Sequence, residues 1–72
     1  MDLARLTYLA NQIARNFTAQ GDAAAVAATA QHIHDYWDPR MKAAILASER
    51  TRLNPIVCAA LGLLQSLSEK QE

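Results

Sequence analysis

Two steps, Asp38-Pro39 and Asn54-Pro55, constrain what this chain can become more than any other feature. Proline disfavours helical geometry at the residue before it, yet suits the first position of a helix that follows. Asp and Asn are good caps, because the side-chain oxygen accepts a hydrogen bond from an unsatisfied N–H of the first turn. Each pair therefore reads as a stop followed at once by a start. Gly21 tolerates the left-handed geometry common after a last helical turn, and Asp22 is predicted to cap the helix that follows it. With Asp2 as the first cap, the chain divides into four short helices, the third shortest.

The apolar spacing agrees with that division. Leu3, Leu6, Leu9, Ala10, Ile13, Ala14 and Phe17 recur at three- and four-residue steps and form one stripe. In the second stretch the predicted core face is Ala23, Val26, Ala27, Ala30, Ile33 and Trp37. The third carries Met41, Ala44, Ile45 and Ala47; the fourth carries Ile56, Val57, Ala60, Leu61, Leu63, Leu64 and Leu67. The tail from Ser68 is polar and expected to fray. Period-two alternation is absent and β-branched residues are few. The expected fold is an all-α bundle of about four helices forming one domain over residues 1–72.

At 72 residues, such a bundle is near the lower limit for folding unaided. A chain of this size buries only about 60% of the surface its unfolded form exposes. Ordering costs about 1.5 kcal/mol per residue, so one small core leaves little margin. Disulfides or a structural zinc often make up the difference, but Cys58 is the single cysteine and the histidines are two. A well-packed bundle or a partner that completes the core remains.

Charge bounds the partner. Seven basic and seven acidic residues give a formal net charge of zero, which argues against bulk electrostatic binding of nucleic acid or an anionic membrane. The distribution is uneven: Arg40, Lys42, Arg50 and Arg52 lie close together with Glu49 as the one acid between them. The helices meeting at Asp38-Pro39 superficially suggest a helix-turn-helix. A stand-alone regulator or nucleic-acid module using basic helix three is therefore the alternative reading. The candidate recognition helix, however, lacks the Asn, Gln, Ser and Thr donors that read base edges. Neither a secretory signal nor an apolar run of bilayer length is visible, so the expected location is cytoplasmic.

No constellation for catalysis or metal binding emerges. His32 and His34 are two residues apart and point about 200° apart on a helix, so they cannot share a metal. His34 can reach the Asp38 side chain from near a helix C-terminus, where positive charge is favoured. Cys58 has no neighbouring base in sequence and reads as a small, partly buried residue. Gly21 and Gly62 are the only glycines, so a phosphate-binding loop is absent. More informative is the reverse face of helix two, Ala25, Ala28, Thr29, His32 and Tyr36, with Tyr8, Asn11 and Arg15 on helix one. Small residues permit close approach, and Tyr and Arg are typical interface anchors, so these faces are expected to meet a partner.

The segment His32-Ile33-His34-Asp35-Tyr36-Trp37-Asp38-Pro39-Arg40-Met41 resembles the signature of the small delta subunit of cytoplasmic, NAD-dependent, molybdenum-containing formate dehydrogenases. In that family an aromatic pair followed by Asp-Pro-Arg-Met joins two helices. Leu9-Ala10-Asn11-Gln12-Ile13 is similar to its amino-terminal helix. Leu53-Asn54-Pro55-Ile56-Val57 is similar to the start of its last helix, where Ser often replaces Asn54. The resemblance covers nearly the whole chain, and Trp-Asp-Pro-Arg-Met is its most specific string.

The resemblance implies a non-catalytic, cofactor-free subunit that binds the large catalytic subunit and supports its assembly or stability. The holoenzyme oxidises formate to carbon dioxide and reduces NAD. Its large subunit holds a molybdenum bis-pterin cofactor and iron–sulfur clusters, and its diaphorase subunits hold FMN and further clusters. Residues Trp37, Asp38, Pro39, Arg40 and Met41 would be the motif positions. Within them Trp37 can bury its ring, Asp38 can cap helix three, and Arg40 faces a positive helix end, which an acidic partner or nearby Asp35 would better explain. Arg40 is the first choice for an intermolecular contact, with Met41, Tyr36 and His32 next, and Trp37 and Asp38 completing the expected partner-binding set.

Overall fold

The computed structural model describes residues 2–69, and side chains as far as Leu67. Four α-helices follow one another: α1 (Leu3–Phe17), α2 (Asp22–Tyr36), α3 (Pro39–Ala47) and α4 (Pro55–Glu69). Two short 3-10 turns, Thr18–Gln20 and Arg50–Arg52, lie in the connections and were not expected from the sequence. The described residues hold no strand. The radius of gyration, 11.1 Å, matches the roughly 11 Å expected of a packed chain this long. The expected fraying beyond Glu69 lies outside the described residues, while α4 itself continues through Ser68.

Helix starts follow the anticipated chemistry in three of four cases. Asp2 Oδ1 accepts from the Ala4 N–H at 3.0 Å, and Asp38 Oδ1 from the Met41 N–H at 2.9 Å. Asn54 Oδ1 accepts from the Val57 N–H at 2.8 Å. The second helix differs. α1 ends at Phe17 rather than running to Gly21, and Gly21 itself, at φ 95°, occupies the cap position of α2. Positive φ is the geometry that glycine alone adopts freely. Asp22 is consequently the first residue of α2, not its cap. There its carboxylate still lies at the positive end of the helix dipole.

The core comprises Leu6, Ala10 and Ala14 of α1, Ile33 of α2, Trp37, Ile45 of α3, Leu53, and Val57, Leu61 and Leu64 of α4. Each helix contributes at the expected period, with departures at the margins. Leu3, Leu63 and Ala47 are exposed although their spacing put them inward. Leu53, in the connection before α4, is buried although no helical pattern marks it.

The larger correction concerns α2. Its buried residues are Ala25, Thr29, Ala30 and Ile33, whereas Ala23 and Ala27 are exposed and Val26 is half-buried. The helix is turned so that part of the face expected to meet a partner lies inside. α2 packs against both α1 and α4, and its small residues suit close approach to two neighbours. An alanine-rich helix gives hydropathy too little contrast to fix that rotation.

Two energetic consequences follow. Trp37 is 7% exposed, the largest ring in so small a core. Trp37→Ala is expected to destabilise the fold by about 3–5 kcal/mol, the usual range for emptying a large aromatic site. Chemical denaturation followed by circular dichroism measures it; a variant melting like the parent would show that the ring does not hold the core. Thr29 is wholly buried and its hydroxyl has no hydrogen-bond partner. An unsatisfied buried polar group costs about 1–3 kcal/mol. Thr29→Val, nearly isosteric, is therefore expected to leave stability unchanged or raise it by about 1 kcal/mol, and a clear loss in the same assay would contradict that.

Candidate partner-binding surface

The α2–α3 junction turns on two extended residues. Trp37, at φ −89° and ψ 138°, and Asp38, at φ −74° and ψ 166°, interrupt helical geometry before Pro39 opens α3. Extended backbone alternates its side chains, so neighbours at the junction face different ways. Trp37 goes into the core while Tyr36, 76% exposed, stands outside it. Asp38 is committed to the Met41 N–H. Met41 is half-buried and packs against the core, and Arg40 is exposed. Of the six residues singled out in the sequence, Trp37 and Asp38 thus have defined jobs inside the fold. Tyr36 and Arg40 project outward, and Met41 bridges the two.

His32 belongs to the same surface. Its ring lies 4.8 Å from that of Tyr36, tilted, and 6.5 Å from that of Phe17, edge-on. Phe17, His32 and Tyr36 form a short aromatic ladder that links the end of α1 to the end of α2. His34 does not reach Asp38 as expected. Its Nδ1 sits 3.3 Å from Asp35 Oδ1, the carboxylate to which Gln31 Nε2 also donates at 2.9 Å. α2 ends at Tyr36, and the extended Trp37 and Asp38 carry the Asp38 side chain away from the helical i+4 position that the sequence suggests.

Arg40 is the anomaly in this arrangement. It lies in the first turn of α3, which contains no acidic residue. The positive end of a helix dipole mildly disfavours a cation there. Asp35, the internal candidate, meets Gln31 and His34 through Oδ1 and makes no ion pair with Arg40. Among the described residues the single ion pair is His34–Asp35, so none holds Arg40.

The other basic residues near α3 separate into different roles. Arg50 Nη1 donates to the carbonyls of Ser48 at 2.7 Å, Leu46 at 3.1 Å and Ile45 at 3.4 Å. It closes the C-terminus of α3, where unsatisfied carbonyls favour a cation. Cys58 is half-buried, its Sγ 3.7 Å from the carbonyl oxygens of Arg50 and Leu53. Among the described residues no three His, Cys, Asp or Glu side chains gather as a metal site would require. One cysteine also falls short of the four thiolates that iron–sulfur clusters ordinarily take.

Asn11 does not face outward with Tyr8 and Arg15, as its place in the sequence suggests: it is half-buried, and its amide is used at both ends. Nδ2 donates to the Arg52 carbonyl at 3.0 Å, and Oδ1 accepts from the Asn54 N–H at 3.0 Å. Asn11 therefore clips the middle of α1 to the connection that starts α4. The available signal was an asparagine in a helix interior, where its propensity is poor.

These features define the class: a small all-α protein with an outward aromatic and cationic junction, and with side-chain caps at three of its four helix starts. Residues 5–61 match the NADH-dependent formate dehydrogenase delta subunit family, FdsD, and the chain belongs to it. All three stretches that resemble the family lie within the match. Membership makes the chain a formate dehydrogenase subunit and implies association with that enzyme's other subunits. No curated protein and no solved structure matches it significantly. No helix among the described residues is long and apolar enough to cross a membrane.

The clip is testable apart from any partner. Asn11→Ala leaves two backbone groups without their partner and is expected to cost about 1–3 kcal/mol. Gln12→Ala, on the exposed side of the same helix, should stay within about 0.5 kcal/mol of the parent. Equal effects of the two substitutions on denaturation midpoints would contradict the assignment.

Proposed function

We propose that this chain is a non-catalytic subunit that binds the large catalytic subunit of a cytoplasmic, NAD-dependent formate dehydrogenase and supports its assembly or stability. Formate oxidation to carbon dioxide and the reduction of NAD then belong to the other subunits. The large subunit would hold a molybdenum bis-pterin cofactor and iron–sulfur clusters, and diaphorase subunits would hold FMN and further clusters. The observation that carries the reading is Arg40, an exposed cation in the first turn of a helix that makes no ion pair among the described residues. Tyr36, four residues earlier across the junction, is exposed as well, and Tyr and Arg are enriched among the residues that carry interface energy.

In this reading Tyr36 and Arg40 make the contact, Met41 and His32 support them from below, and Trp37 and Asp38 hold the junction in shape. A carboxylate on the partner would pair with the Arg40 guanidinium in a charge-assisted hydrogen bond. The Tyr36 ring, resting on His32, would add apolar area with little side-chain freedom left to lose.

Co-production of a tagged chain with the catalytic subunit tests this. Arg40→Ala and Tyr36→Ala should keep full helicity, yet each should lower affinity for the catalytic subunit about tenfold or more, the scale of an interface hot spot. Undiminished retention of the catalytic subunit by both variants would remove the junction from the interface. Loss of helicity in the isolated variants would show the residues to be structural instead.

A further inference from the structure

A second surface lies on the outer side of α1. Arg5, Tyr8, Gln12 and Arg15 are all exposed, and their three- and four-residue steps make one slanting ridge. Tyr8 is 64% exposed at its centre. The two arginines are ten residues apart, about 15 Å along the helix axis. No acidic residue lies within α1, and among the described residues no ion pair holds Arg5 or Arg15. Beside the ridge opens a cleft of about 510 Å³, lined by Leu3 and Thr7 of α1 and by Ala47, Glu49, Thr51 and Arg52. Leu3 is 45% exposed at its rim, and Arg52 is likewise without an ion pair among the described residues.

We infer that this ridge and cleft are a docking site for an acidic protein segment of the catalytic subunit, distinct from the contact at the α2–α3 junction. The segment would set carboxylates against Arg5, Arg15 and Arg52 and seat an apolar side chain in the cleft beside Leu3. Charge complementarity fixes the sign: three guanidiniums face outward there, against Glu49 as the one carboxylate lining the cleft. The neighbouring Asp2 is taken up in capping α1. Apolar Leu3 and a central tyrosine favour a protein occupant over a phosphate backbone. A chain of zero net charge also has no bulk field to hold nucleic acid.

The inference rests on the proposed binding of the catalytic subunit, and the test separates the two. Tagged full-length chain is co-produced with the catalytic subunit as wild type, as Arg5→Glu/Arg15→Glu, as Arg5→Gln/Arg15→Gln and as Tyr8→Ala. The expected result is a fall in retained catalytic subunit of about tenfold or more for the charge-reversed variant, with smaller falls for the other two. Circular dichroism should be unchanged throughout, and the Gln pair serves if reversal disturbs folding. Wild-type retention with no loss in any variant would overturn the α1 site while leaving the proposed function intact. Failure of the wild type to retain the catalytic subunit would overturn both. Salt-sensitive binding of a short duplex DNA that the reversal abolishes would replace the protein occupant and overturn the inference.

Discussion

Everything in this small fold depends on the chain changing direction between Tyr36 and Arg40 without losing its place in the core. Two extended residues and a proline achieve it. Asp38 satisfies the Met41 N–H of α3, and Pro39 begins that helix with its backbone angle already suited. Because the backbone is extended at Trp37, the indole goes inward while Tyr36 stays outside. One geometric event thus anchors the core and creates the exposed surface, so the fold and the proposed function share a cause.

The second constraint is closure. A chain of this size cannot rely on its core alone, and a tie between distant parts of the sequence matters more than in a larger domain. Asn11 supplies it by bonding the backbone on either side of Leu53, itself a buried member of the core. Two stretches that resemble the delta subunit family, Leu9–Ile13 and Leu53–Val57, therefore meet in space. Their kinship has a physical content: one provides the clip, and the other provides the backbone that is clipped and the cap that starts α4.

Much of this was legible because proline and its preceding cap act locally. Asp38, Asn54 and Asp2 needed no tertiary information, and Trp37 is large enough that burial was its natural fate. What failed depended on comparison between elements. The rotation of α2 could not be read from alanines, whose hydropathy barely distinguishes one face from another. Thr29 went inward for that reason. The positive φ of Gly21 was legible, but Gly21 serves at the start of α2 instead of at the end of α1, and so displaced Asp22 from its capping role by one residue. The Tyr36–Arg40 surface was visible as a motif, yet that Asp35 turns to Gln31 and His34 and not to Arg40 required the folded arrangement.

In the proposed reading the chain is an adaptor, attached to the catalytic subunit at the junction and again along α1. Hydrogen–deuterium exchange on the full chain, alone and in complex with the catalytic subunit, tests that claim most directly. Exchange reports opening of individual backbone segments, so it locates a contact without altering a residue. The account predicts slowed exchange on binding across the end of α2, the first turn of α3 and the length of α1, with the buried middle of α4 already slow in the free chain. Identical profiles with and without the catalytic subunit, or protection confined to α4, would contradict it.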